Sequence, residues 1–504
     1  MEFSPDDIRK LYYTFVAFFV VVPILGVYCA RSQWHRRALM LGCIFLPSMG
    51  NAKFLGLAKI NFTLMSVETY RGHTTGFTIG MQDILGVALL LALFLSRRGH
   101  RFRLIPPGLF YFAVFYVCIS VSIFQAPITE YSLMAMWNFG RMFLYYIIAY
   151  NIIRQSGDLR TILWGIALTL MVQCAVSLKM RYLGGVHQVA GTFDHQNSMA
   201  TWAYFCGLPM LAMSLSRQTK WVDSLVYLTA FGCSGLLVVL SISRGALIMI
   251  TLGSIAIITH AAIQKMTIKR SLIIGAAVAC GSFVILMALD SILGRFIGSH
   301  DYEKKQNLRT VLEEVSYEML KDNPHGVGLN NYNVVNSRPY ARYSRMLERW
   351  NERRGYYFPI KYFEKNPNTE NLYWMFLAET GYLGFAGLMV FFAFSFYICL
   401  KNYHHYRNTR QGSFILGMIV TLALFYMHSQ LERVFTQSIN MMVFIMYVSL
   451  VVHYDSVRRE GKLPIVFRLW KLNQAFWDTR KERQPRPQPI KQPSPAPKPS
   501  PAHS

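Results

Sequence analysis

The sequence predicts an all-α polytopic membrane protein with about 12–13 transmembrane helices and one large extracytoplasmic loop. Three observations predict it. Of the 504 residues 53% are hydrophobic, and they fall in long blocks rather than amphipathic stripes. Many blocks approach the ~20 residues that carry a helix across a hydrocarbon core. Short basic connections alternate with longer or less basic ones along the chain, as the positive-inside rule requires.

In chain order the expected spans lie near Leu11–Ala30, Ala38–Leu55, Ile79–Leu95, Ile105–Phe124, Leu133–Ile153, Ile162–Tyr182 and Met199–Leu215. They continue near Leu225–Ile242, Ala246–Ala262, Ser271–Leu293, Asn371–Leu400, Phe414–His428 and Ile439–His453. The second is short and interrupted by Pro47 and Gly50. Met1–Lys10 carries three acidic residues and no small-residue cleavage site follows, so the first span is expected to be retained. The connections RSQWHRR, SRRGHRFR, RQSGDLR, SRQTK, QKMTIKR and KNYHHYRNTRQ are short and basic. These six are therefore assigned to the cytoplasm with the C-terminus, and the N-terminus to the outer side.

That orientation gathers four outer elements: GTFDHQN (191–197), SISRG (241–245), the interval 294–369, and the turn His428–Arg433. Within the long interval Leu308, Val311, Leu312, Val315 and Leu320 approximate a helical stripe, and Asn323-Pro324 ends it. A second helix is expected over Pro339–Arg354. The segments are then 1–76 (N-terminal spans and first outer loop), 77–293 (membrane core), 294–369 (outer loop) and 370–456 (C-terminal spans). After them come 457–483, an amphipathic cytoplasmic segment, and 484–504, a solvated tail with eight prolines.

The net charge of +25 is absorbed by cytoplasmic loops and lipid headgroups, and no nucleic-acid partner is expected. All eight cysteines lie in apolar runs, without metal-ligand spacing or a disulfide framework. Walker loop, metal cluster and Gly-x-Ser-x-Gly elbow are absent from the sequence, and neither a metal nor another cofactor is expected.

The chain is organised around ENLYWMFLAETGYLG (370–384). Asn368 and Thr369 are expected N-caps, with Glu370 in the first helical turn, where the dipole favours a carboxylate. Glu370 is either a capping group or a catalytic base on a rigid element. Arginine accompanies it on the outer side. Arg141 sits inside the fifth expected span, where it must line a polar cavity or find a buried partner. Arg244 lies among small residues at the mouth of the next spans, and Arg309 heads the loop helix. His195 and His428 stand at span ends. Arginines and a carboxylate at one water–lipid boundary suit a polyprenyl-pyrophosphate donor: arginine stabilises the leaving group, and the carboxylate takes a hydroxyl proton.

Several motifs together make the chain similar to the O-antigen ligase and Wzy-type polymerase family of bacterial envelope glycan enzymes. GTFDHQNSMA resembles that family's outer-loop motif, SISRGA its arginine motif, and the Arg309 helix running into NPHGVGLNNY the start of its large periplasmic loop. Asn371, followed by nine residues, Gly381 and Gly384, matches its ligase motif, except that Glu370 stands where the ligases carry histidine. The resemblance runs from about Phe77 to His453, and the first span is additional to it. It implies a GT-C-like membrane glycosyltransferase of the bacterial inner membrane, with its active site facing the periplasm. The implied chemistry is metal-independent and inverting, with Glu370 as base, Arg141, Arg244 and Arg309 on pyrophosphate, and His195, Asn197, Asn371, His428 and Arg433 in support. A polyprenyl-pyrophosphate-linked oligosaccharide donor, a glycan acceptor, the lipid bilayer and a chain-length regulator are the implied partners. Glutamate at position 370 favours a polymerase over a ligase acting on lipid A core or protein. A glycolipid flippase is the third reading; no internal repeat supports it.

Overall fold

A computed structural model of the protein describes residues 5–45, 61–65, 72–96, 102–153, 156–264, 266–279, 281–282, 299–337, 343 and 368–460. Helices α1 (Pro5–Val16) and α2 (Val22–Arg31) run together through a π turn, Ala17–Val21. There follow α3 (Gln33–Phe45), α4 (Met81–Leu95), α5 (Leu109–Ser120), α6 (Thr129–Ile152), α7 (Ser156–Tyr182), α8 (Gln196–Ser214), α9 (Trp221–Ser241) and α10 (Arg244–Ile263). The rest comprises α11 (Ser299–Asp322), α12 (Tyr332–Asn336), α13 (Leu372–Tyr406), α14 (Arg410–His428) and α15 (Ser438–Glu460). Strands β1 (Asn61–Leu64) and β2 (Phe77–Gly80) pair antiparallel, with Phe62 opposite Ile79.

This is an all-α polytopic membrane architecture. Seven helices among the described residues are long and apolar enough to cross a bilayer: Asp7–Arg31, Asp158–Tyr182, Trp221–Ser241, Arg244–Ile263, Leu372–Tyr406, Arg410–His428 and Ser438–Glu460. Met81–Leu95 and Leu109–Gln125 are shorter apolar helices. Two further expected spans are helical but less apolar, for a packing reason. α8 is buried from Met199 to Ser214, so its surface meets other helices rather than lipid. α6 buries Asn138 and Arg141 in the interior. The second expected span is helical only to Phe45, where description stops, and the tenth is helical over 268–279.

Small residues set the packing around α8, as is usual where bilayer helices approach closely. Gly207 faces the Ser234 side chain of α9, whose hydroxyl donates to Ala203 O at 2.7 Å. Gly253 of α10 packs on Leu208, and Gly417 of α14 packs on the backbone of Pro209. An aromatic cluster of Phe115, Phe376, Phe391, Phe435 and Phe444 joins α5, α13 and α15.

The basic connections collect at one end of the bundle. There Arg37 pairs with Asp158 at 3.0 Å, Arg160 with Asp223 at 2.8 Å, and Arg103 N donates to Asn151 Oδ1. Lys269 donates to Ser216 O, Arg270 to Leu215 O, and Gln218 to Asn408 O. The four motif-bearing elements meet at the other end. Val189 N donates to Leu240 O, Leu372 N to Ser429 O, and Asn197 Nδ2 to Glu432 Oε1.

α11 ends at Asp322, before Asn323-Pro324, as its sequence dictates. Its buried face is Leu312, Val315, Met319 and Leu320, of which Leu312, Val315 and Met319 form a small core with Val327, Tyr332 and Ala378. The Leu308 side chain and most of the expected helix Pro339–Arg354 lie outside the described residues. The chain divides into two compact units, 1–455 and 456–504. Of the second, only residues to Glu460 are described, so the amphipathic segment and the Pro-rich tail also fall outside.

Candidate active site

The site is built where α13 starts and then breaks. Asn371, not Asn368 or Thr369, is the N-cap: its Oδ1 accepts from Tyr373 N at 3.0 Å and Trp374 N at 3.4 Å. Its Nδ2 donates to Glu313 of α11 at 3.0 Å. Glu370 therefore precedes the cap instead of occupying the first turn. The physical reason is that Asn371 both satisfies two orphan N–H groups and ties the helix to α11. Glu370 is consequently held by a side chain rather than by the helix end: Arg309 of α11 forms an ion pair with it.

Two residues before the break lies Glu379, which the sequence reading passed over. Gly381 has φ 64° and ψ −169°, and the helix kinks there. The segment Asn323–Gly328 docks into the gap: Val327 N donates to Ala378 O, Gly328 N to Glu379 O, and Tyr382 N to Pro324 O. At both Gly381 and Gly326 an added Cβ would fall within 2.4 Å of backbone across the contact. At Gly384 an added Cβ would instead meet Thr380 of its own helix, 2.3 Å from its Cβ. Glu379 is buried at this break and accepts from His73 Nε2 at 2.6 Å, Asn330 N at 2.9 Å and Tyr332 N at 3.3 Å.

A cavity of about 550 Å³ opens beside these elements. Arg141, His195, Glu370, Glu432 and Arg433 all line it, as do His73 and Gln82. Three of them come from sequence-selected loops: His195 from GTFDHQN, and Glu432 and Arg433 from the α14–α15 turn. Arg309 approaches Glu432 at 3.7 Å while paired with Glu370, so one guanidinium lies between two carboxylates. Burial pushes the Glu432 carboxyl up to about 7; the neighbouring Glu370 adds to the rise, and Arg309, Arg433 and Asn197 oppose it. Burial lowers His195, Glu370 offsets part of that, and Arg433 adds to the lowering. His195 also caps α8, accepting from Asn197 N at 3.2 Å.

Arg141 is in the cavity wall, with its charge matched. Asp83 of α4 pairs with it at 2.8 Å and also accepts from Tyr145 Oη at 2.6 Å. Asp83 was not singled out in the sequence, because nothing in α4 marks its partner 58 residues away. Arg244 opens α10, and the adjacent Gly245 abuts His428, where an added Cβ would fall 2.7 Å from Nε2. His428 is fully buried, with Nδ1 3.1 Å from Tyr204 Oη. Neither Arg244 nor His428 is among the cavity-lining residues. His73 and Glu379 escaped sequence reasoning because 306 residues separate them. The one available signal was a glutamate directly before a Thr-Gly helix break.

Among curated proteins, none matches the chain. Residues 229–389 match the family model Wzy_C, described as O-Antigen ligase. That stretch runs from within α9 through Arg244, Arg309, Glu370, Asn371, Gly381 and Gly384. Over residues 229–389 the chain is thus similar to the O-antigen ligase family.

Proposed function

We propose that the protein is a glycan polymerase of the bacterial inner membrane. It moves an oligosaccharide from a polyprenyl pyrophosphate to a sugar hydroxyl of the next lipid-linked repeat, with inversion and with arginine in place of a metal. The observation that carries the reading is the convergence of Glu370, Glu432 and Arg433 on one cavity, with Arg309 held between the two carboxylates. The cavity faces the periplasm, at the end opposite the basic connections, and the C-terminus is cytoplasmic.

Arg309 and Arg433 take the pyrophosphate, with Arg244 beside them; forked guanidinium donors suit phosphate oxygens. Arg141, neutralised by Asp83, supplies hydrogen bonds from the wall rather than net charge. Glu370 accepts the proton of the attacking hydroxyl as the glycosidic carbon–oxygen bond to pyrophosphate breaks. Glu432, whose carboxyl burial raises to about 7, is the sink that takes the proton on. Asn197 and Asn371 fix Glu432 and the start of α13, and His195 and His428 hold the ends of α8 and α14. The donor and acceptor are thus both lipid-linked glycans in the bilayer, and a chain-length regulator is a further partner.

The description of the matched family favours a second reading, a ligase with the same donor and an acceptor on lipid A core or protein. Deleting the gene and examining the host's glycans separates the two. Loss of the polymer ladder with single repeats still attached supports polymerase. Accumulated polymer on the lipid carrier supports ligase.

A further inference from the structure

The cavity is lined by two chemically different sets of residues. Glu370, Glu432 and Arg433 line it with charge, and Arg309 pairs with the two carboxylates; His73, Thr75 and Gln82, from the segment around β2 and the start of α4, line it with neutral groups. Two buried acceptors there lack a protein partner among the described residues: His73 Nδ1 and Gln82 Oε1. The His73 side chain is 3% exposed and Gln82 is 6% exposed. A buried acceptor left unpaired costs free energy, so a native protein that keeps two at one wall calls for a donor arriving from outside the fold.

The ring orientation of His73 is heavily determined. Its Nε2 is engaged by Glu379 at 2.6 Å, its backbone N donates to Asn330 Oδ1 at 2.6 Å, and Asn330 Nδ2 donates to Thr74 O and Tyr131 O. Asn330 itself adopts φ 61°, a strained setting for a non-glycine residue. In the neutral ring, Nε2 donates to the carboxylate and Nδ1 presents its lone pair. The carboxylate is in turn fixed by Asn330 N and Tyr332 N, which follow the Asn323–Gly328 segment docked at the kink. The long loop and the helix break therefore act together to present one fixed acceptor.

We propose that His73 and Gln82 form a subsite for neutral sugar hydroxyls, holding the glycan while its pyrophosphate lies at the arginines. The inference rests on the transfer reading above. Hydroxyls donate to Nδ1 and Oε1, and uncharged Thr75 beside them suits a neutral ring better than an anion. The subsite recognises the sugar and leaves the lipid and pyrophosphate to other residues.

The test is binding by purified protein in nanodiscs. The probes are bare polyprenyl pyrophosphate and the same carrier bearing the host's own oligosaccharide. Gln82→Leu removes the acceptor without touching Glu379, so it is the decisive variant; His73→Ala is read beside it only if it stays folded. The expected result is unchanged binding of the bare carrier and about tenfold weaker binding of the glycan-bearing one, the scale of one buried hydrogen bond. Equal binding of the glycan-bearing carrier by Gln82→Leu and wild type overturns the subsite, as does equal loss of both probes. Wild-type protein that binds neither probe instead overturns the transfer reading.

Discussion

Gly326 and Gly381 sit back to back where α13 breaks. A Cβ on Gly381 would fall 2.3 Å from Pro324 O, and one on Gly326 would fall 2.4 Å from Glu379 O. Both glycines have positive φ. The contact joins the long loop to the helix that carries Glu370 and Glu379, so it holds the site's two halves in register. Gly381→Ala should cost about 3 kcal/mol, since that backbone region is nearly closed to other residues. Gly235→Ala in α9 should cost far less, because nothing lies within 4 Å of an added Cβ there. Thermal unfolding of both variants in detergent checks the difference; equal losses would remove the special role of the break.

The guanidinium of Arg309 spans Glu370 and Glu432, and a lysine can hold the charge but not the fork. Arg309→Lys should keep normal protein level and lose roughly tenfold or more in transfer. Full activity would show that a general positive field is enough.

Glu432 sets an expected pH dependence. Its carboxyl is raised to about 7, so it is largely protonated below neutrality and cannot receive a second proton. Transfer by the wild type should therefore rise as pH increases through about 7, and Glu432→Gln should be slower and lose that limb. A wild-type profile flat across neutrality would remove Glu432 as the proton sink.

Orientation follows from the gathering of basic connections at one end. Reporter fusions at Arg98 and His404 should read cytoplasmic and one at Tyr340 periplasmic. A cytoplasmic signal at Tyr340 would move every proposed site residue to the wrong side.

How far the sequence revealed this depended on the range of each interaction. Span positions were legible because a bilayer demands continuous apolar runs, whatever their neighbours do. α8 is less apolar than a lipid-facing helix because it is enclosed by other helices, a tertiary fact that no local window contains. Asn371 and Asn368 are equally good caps by type, and what chose Asn371 was Glu313, 58 residues away. The arginines were visible as chemistry but not as partnerships: only the fold shows Arg141 matched by Asp83 and Arg309 held between two carboxylates. His73 lacked any local sign, because its meaning comes from Glu379.

The central claim is that Glu370 accepts the proton during transfer, and Glu370→Gln tests it most directly. Glutamine keeps the volume, and the helix keeps its cap because Asn371 supplies it. At matched protein level, the polymer ladder should fall by ~100-fold or more, the scale of losing a general base. Glu370→His should retain part of the activity, since imidazole is a competent base near neutral pH. A Glu370→Gln variant with a wild-type ladder would contradict the account, leaving Glu370 as a structural partner of Arg309 alone.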